Sequence, residues 1–118
     1  MEYMKSAPLK AAENIFFHAA ANSKATDIIK LIEEKEVNVD CRNVNGTTAL
    51  HVAAIHQYSN IVRILLHFKA NPNIAEYEFN GKKTALHHAV EKNNYDVCKL
   101  ILDYGANPNT QDIHGSAA

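Results

Sequence analysis

Thr48-Ala49-Leu50-His51-Val52-Ala53-Ala54 decides how this chain is read, because it recurs. Thirty-six positions downstream, counting His51 to His87, stands Thr84-Ala85-Leu86-His87-His88-Ala89-Val90. Thirty-three positions upstream, counting His51 to His18, a looser copy reads Ile15-Phe16-Phe17-His18-Ala19-Ala20-Ala21. The match then continues in register. Asp27-Ile28-Ile29-Lys30-Leu31-Ile32 aligns with Asn60-Ile61-Val62-Arg63-Ile64-Leu65 and with Asp96-Val97-Cys98-Lys99-Leu100-Ile101. Asn38-Val39-Asp40, Asn71-Pro72-Asn73 and Asn107-Pro108-Asn109 follow at like offsets, and Gly46, Gly81 and Gly115 close the three units. The second unit is the longer one, with additional residues around Glu76–Lys83. Self-similarity at this period is the signature of stacked repeats.

Each unit reads as two short helices followed by an extended excursion. In the second unit the first helix falls near Thr48–Gln57, with Thr48 placed to cap the free amides of the first turn and Ala53 and Ala54 allowing close approach. The second helix falls near Ser59–Phe68, where Ile61, Val62, Ile64, Leu65 and Leu66 make an apolar face at helical spacing. The position that opens the second helix is polar or acidic in all three copies (Asp27, Asn60 and Asp96), which suits a helix start. Asn71-Pro72-Asn73 stops the helix, since proline neither continues it nor donates an amide. The polar, turn-rich stretch to the closing glycine suits a protruding finger. One such unit cannot bury its own apolar face, whereas stacked neighbours can.

Thr48-Ala49-Leu50-His51-Val52-Ala53 and Thr84-Ala85-Leu86-His87-His88-Ala89 resemble the Thr-Pro-Leu-His-x-Ala pattern of the ankyrin repeat family. The resemblance covers about residues 12–116. It implies an all-α solenoid of three stacked helix-turn-helix units with protruding β-hairpin-like fingers. The expected boundaries are an N-terminal extension 1–11, repeats near 15–47, 48–83 and 84–116, and a tail 117–118 that is either an end or the start of a truncated repeat. It also implies that His18, His51 and His87 tie units together by hydrogen bonds. Alanine replaces the usual proline at Ala49 and Ala85, and Ile15 and Phe16 replace the first pair of the pattern. The family's glycine between the helices is replaced by Lys24, Gln57 and Asn93, of which only asparagine takes a left-handed turn readily. The second finger followed by Thr84-Ala85-Leu86-His87 is also similar to the insertion in the inhibitor-of-NF-κB branch of the family. An apolar end face of the third unit is expected to lie uncovered, so the chain reads as a piece of a longer array or as one whose partner covers that face.

Composition narrows the function. Among 118 residues, 12 Lys and Arg oppose 13 Asp and Glu for a net charge of −1, which lacks the electrostatic footprint of a nucleic-acid binder. No apolar run reaches a membrane span of roughly 18–20 residues, and the start Met1–Pro8 has no hydrophobic signal core. An intracellular protein, cytoplasmic or nuclear, with two reduced thiols is expected from Cys41 and Cys98, which have no CxxC spacing. Seven histidines suggest a metal, but His51 and His56 lie about 140° apart on a helix, and His87 and His88 are adjacent and point apart. No zinc set, no catalytic residue and no cofactor site is expected. Cys98 falls on the apolar face with Val62 and Ile29, whereas Cys41 stands beside Arg42, which would lower its pKa somewhat. Glu33, Glu34 and Glu36 read as a solvated face, and four glycines form no phosphate-cradling loop.

What remains is a binding surface. The family resemblance implies that partners meet the finger tips and the concave face of the first helices. Those positions are Asn43, Val44, Asn45 and Thr47 on the first finger, Tyr77, Glu78, Phe79, Lys82 and Lys83 on the second, and Ile113 and His114 on the third. On the helices they are Ile55, His56, Glu91 and Lys92, with Asn22 and Ser23 upstream. Two aromatics on a protruding finger resemble interface anchors, and the competing expectation is that Tyr77 or Phe79 folds back to seal the gap between units. The expected function is a non-enzymatic protein–protein interaction module whose partner is another protein, with neither nucleic acid nor membrane bound. Monomer is the expected state unless the C-terminal face pairs. The alternatives are a recruitment arm of a larger enzyme, channel or ubiquitin ligase, or an inhibitor that sequesters a regulatory protein.

Overall fold

The computed structural model describes residues 2–115, with side chains from residue 11 onward. The described residues form six α-helices and no β-strand, in the order α1 (Glu2–Ala21), α2 (Ala25–Glu34), α3 (Ala49–Ile55), α4 (Ser59–His67), α5 (Ala85–Glu91) and α6 (Tyr95–Asp103). They pair as α1 with α2, α3 with α4, and α5 with α6. The first helices stack in the order α1, α3, α5 and the second helices in the order α2, α4, α6. The all-α solenoid expected from the repeat is therefore present, drawn out to 44 × 29 × 21 Å.

Local chemistry explains why the helices start where they do. Thr48 and Thr84 each cap a first helix. The hydroxyl accepts from the amide three residues on, while the imidazole of His51 or His87 accepts from the cap's own amide. Both caps are buried, so both polar ends must be satisfied internally. The core is built from matching layers: Leu50, Ala53 and Ala54 from α3, Leu86 and Ala89 from α5, and Ile61, Leu65, Val97 and Ile101 from the second helices. Alanines on the inner helices let the backbones approach. The aliphatic side chains behind them each contribute about 1.5–3 kcal/mol by leaving water.

The first unit is set one residue differently from the reading built on His18. The turns are fixed by hydrogen bonds from Lys24 N–H to Ala19 O, Tyr58 N–H to Ala53 O and Asn94 N–H to Ala89 O. Ala19 is thus the counterpart of Ala53, and Phe16 of Leu50. Phe16, Ala19 and Ala20 are buried and His18 is exposed. Phe17 takes the histidine position, and His18 has no part in tying units together. An apolar ring satisfies an inner position that an imidazole could fill only with partners, so burial and not the His-Ala match sets the register. The left-handed residues between paired helices are Ser23, Gln57 and Asn93, so Ser23 and not Lys24 takes the glycine's place. Lys24 is instead the residue preceding α2, where its side chain makes no cap.

The second finger differs from a hairpin at its tip. Glu76 N–H bonds to Lys83 O at its base, and between them a single 3-10 turn spans Glu78–Asn80. Gly81 follows with φ 98°, the left-handed conformation that closes the turn.

Candidate interaction surface

The second finger is tied down around Glu76, a carboxylate only 4% exposed. Its Oε2 accepts from the Thr47 hydroxyl of the first finger at 2.5 Å and from Asn80 Nδ2 of its own tip at 3.0 Å. Its Oε1 accepts from His88 Nε2 on α5 at 2.7 Å. Burial alone would raise the Glu76 pKa. The hydrogen bonds from His88 and Thr47, with the nearby charge of the histidines, outweigh burial and hold it below the usual carboxylate range.

His51 supports the same finger from α3. Its Nδ1 accepts from the Thr48 amide at 3.0 Å, so its Nε2 donates to the Lys83 carbonyl at 3.0 Å. Both ring nitrogens are thereby committed to the neutral imidazole. Burial is the main cause that pushes the His51 pKa down to about 4, with His88 adding to the fall and Glu76 opposing it. The rings of His51 and His88 meet edge to face, 5.8 Å between centroids. Lys83 Nζ in turn pairs with Glu91 on α5.

Above this base Tyr77 lies across Gly46, and its amide donates to Asn45 O at 3.0 Å. Arg42 stacks on the Tyr77 ring at 4.6 Å while its guanidinium donates to the carbonyls of Gly46 and Ala75. Such a stack is worth about 0.5–1 kcal/mol at an open site. Tyr77 therefore packs inward on one face and stays 42% exposed on the other, and the ring of Phe79, 6.0 Å away, is 75% exposed.

The remaining sequence-derived positions divide clearly. Val44 is 85% exposed at the first tip and Ile113 is 47% exposed at the third. Glu78, Lys82, Lys92 and His114 are exposed, and His56 is exposed and stacked on Tyr58. Ile55 and Asn45 are half-buried. Lys83 and Glu91 face each other. Thr47 is buried on Glu76 and is not available to a partner, because it holds the finger instead of topping it. Asn43 turns back to accept from the amides of Asn45 and Thr47. Asn22 donates to His18 O, and Ser23 bonds Asn60 between the turns.

Sequence reasoning missed Glu76, His88 and Arg42 as organisers of this surface. The only available signal was an acidic residue opening the inserted segment. It also missed a cleft of about 420 Å3 beside the first finger, lined by Glu13, Asn14, Phe17, Arg42, Asn43 and Val44. The expectation that Arg42 lowers the Cys41 pKa is overturned. Burial and, secondarily, the charge of Glu13 push Cys41 up to about 12, and Arg42 is occupied by carbonyls. Cys98 is half-buried and its thiol is also raised by burial. Among the described residues no group of His, Cys, Asp and Glu could hold a metal ion, and no helix is long and apolar enough to cross a membrane.

Residues 16–112 match the family model for ankyrin repeats in three copies. The chain belongs to the ankyrin repeat family. Its similarity to curated relatives is confined to about half of its length. It is 42% identical over 64 residues to an ankyrin repeat protein of Borreliella burgdorferi, covering 53% of this chain and 16% of that one. It is 40% identical over 60 residues to an E3 ubiquitin-protein ligase of Oryza sativa subsp. japonica, covering 51% and 12% respectively. It is 39% identical over 59 residues to a serine/threonine-protein kinase of Arabidopsis thaliana, covering 50% and 13%. The matched segment thus spans under a fifth of each of these relatives. The ankyrin repeat is a non-catalytic fold whose general role is protein–protein interaction.

Proposed function

We propose that this ankyrin array binds a partner protein through its finger tips and the adjoining concave face, with Phe79 and Tyr77 as anchors. The observation that carries this reading is the contrast within one finger. Its base is fully bonded, while its tip exposes a large aromatic ring that contributes almost nothing to the core. A rigid base means that little loop entropy is lost on binding, and an aromatic tip buries much area with few rotatable bonds. Val44 and Ile113 extend the apolar tips along the stack, and Ile55, His56 and Lys92 adjoin them on the helices. Glu78, Lys82, Asn45 and His114 would set orientation more than affinity.

The test is capture from lysate with mass-spectrometric identification, followed by a direct titration of the purified partner. Native chain and the Tyr77→Ser/Phe79→Ser variant are compared after circular dichroism shows both to be folded. A loss of at least about tenfold in affinity, the size expected when an interface anchor is truncated, supports the reading. Equal affinity of the two proteins sinks it.

A second reading, a recruitment arm within a longer protein, is supported by two observations. Relatives named as a ubiquitin ligase and a kinase match this chain over only 12% and 13% of their lengths. On the far side of the third repeat Val90 and Leu102 are exposed, although their counterparts Ala54 and Leu66 are buried between repeats. Defining the full reading frame decides between a free binding or sequestering module and such an arm.

A further inference from the structure

At one register position the three fingers do different things. Asn43 closes its own turn by accepting from the amides of Asn45 and Thr47, and Asp112 accepts from the amide of His114 two residues on. In the second finger the equivalent residue is Glu76, and its longer side chain reaches beyond its own turn as well. It collects Thr47 from the first finger, Asn80 from the tip and His88 from α5. No other carboxylate among the described residues is buried, and a buried carboxylate costs stability unless such partners satisfy it.

We propose that Glu76 is the positioning residue of the fingertip: its buried carboxylate, bonded to Thr47, Asn80 and His88, locks the second finger to the first finger and to α5. It thereby fixes where Tyr77 and Phe79 meet a partner. The proposal rests on the reading of the fingertip as a binding site. Two of the bonds run to other elements and the third to the finger's own tip, so removing the carboxylate frees the tip and releases the finger from the first finger and α5 at once. The amide bonds that define the tip, Tyr77 to Asn45 O and Asn80 and Lys82 to Tyr77 O, lie directly beyond this anchor. Other contacts hold the finger as well, namely Lys83 with Glu91 and His51 with the Lys83 carbonyl at its base, Arg42 on the Tyr77 ring and the Ala75 carbonyl, and the Ile113 amide on the Gly81 carbonyl, but none of them joins the first finger, the tip and α5 through one side chain.

The test needs no partner. Amide hydrogen exchange followed by NMR compares the native chain with Glu76→Ala, Glu76→Gln and His88→Phe. With Glu76→Ala, the amides of Tyr77, Asn80 and Lys82 are expected to exchange about tenfold faster or more, the scale of losing a charge-assisted bond. The amides of Val62 and Ala106, bonded within the second helices and their ends, are expected to keep their native rates. Glu76→Gln should give a smaller acceleration, because the amide still accepts from His88 but meets Asn80 donor to donor. Should Glu76→Ala fail to fold, Glu76→Gln and His88→Phe decide on the same amides. Native exchange at the tip in a folded variant overturns the proposal, and so does an equal acceleration of every amide, which would make Glu76 a support of the whole fold. A finger that loosens as expected while partner capture ignores Tyr77 and Phe79 would sink the binding reading alone.

Discussion

Gly46 and Tyr77 touch so closely that a Cβ on Gly46 would stand 2.7 Å from the Tyr77 nitrogen and 2.8 Å from its Cγ. The first finger is therefore the floor on which the second finger's aromatic rests. Gly46 also has φ 77°, so two penalties coincide there. Gly105, with φ 99° and nothing within 4 Å of its would-be Cβ, carries only the backbone penalty. Gly105→Ala is expected to cost about 1 kcal/mol. Gly46→Ala should exceed that by a further 1–3 kcal/mol or so, the cost of overpacking. Urea unfolding of the two variants measures the difference. Equal losses would mean that Tyr77 moves aside freely and is not seated on the glycine.

Helix starts offer a second comparison. Asn94 precedes α6 with φ −94° and ψ 92°, and its side chain accepts from the Val97 amide. Lys24 precedes α2 with nearly the same backbone, φ −88° and ψ 75°, and makes no such bond. Asn94→Ala should destabilise by about 1 kcal/mol, and Lys24→Asn should stabilise by about 0.5–1 kcal/mol. Thermal melting of both reads the opposite signs. A neutral Lys24→Asn would show that fraying at α2 already satisfies its first amides with water.

These comparisons also explain what could be read from the chain directly. The period, the Thr48 cap and the apolar faces of the second helices were legible, because each follows from local spacing and a local bond. The first unit reads one residue out of register because His18-Ala19-Ala20 imitates the motif, whereas Phe16, whose burial sets the register, belongs to no motif. The role of Glu76 was illegible for another reason. Its partners Thr47 and His88 lie 29 and 12 positions away, and only the stacking brings them together. Tyr77 and Phe79 could be singled out by type and place, but which ring faces out depends on Gly46 and Arg42 beneath Tyr77.

Acid sensitivity follows from His51. The folded chain binds its proton only near pH 4, while the unfolded chain binds it near the ordinary 6.5. The unfolded state thus takes up the proton first. Stability from this group is complete above pH 6.5 and is lost as pH falls towards 4, by at most roughly 3 kcal/mol. Glu76, held below the usual carboxylate range, adds stability that begins to be lost near pH 4.5 and goes as pH falls through its lowered folded value. Denaturant midpoints at pH 7.5, 6, 5 and 4 should fall accordingly. His51→Gln should be less stable at pH 7.5 yet show a flatter decline. An unchanged slope in that variant would assign the acid sensitivity elsewhere.

The two thiols should separate in reactivity. Cys41 is buried and pushed up to about 12, so at pH 8 very little of it is thiolate and none is reachable without opening the base of the first finger. Cys98 is also raised by burial but is only half-buried on α6. With iodoacetamide at pH 8, intact mass should show one label accumulating on Cys98, and Cys41 should label at least about tenfold more slowly until urea is added, since its exposure requires local unfolding. Labelling of both at one rate would show that the segment from Asn38 to Gly46 opens readily. The floor beneath Tyr77 would then be too mobile to hold the ring in one place.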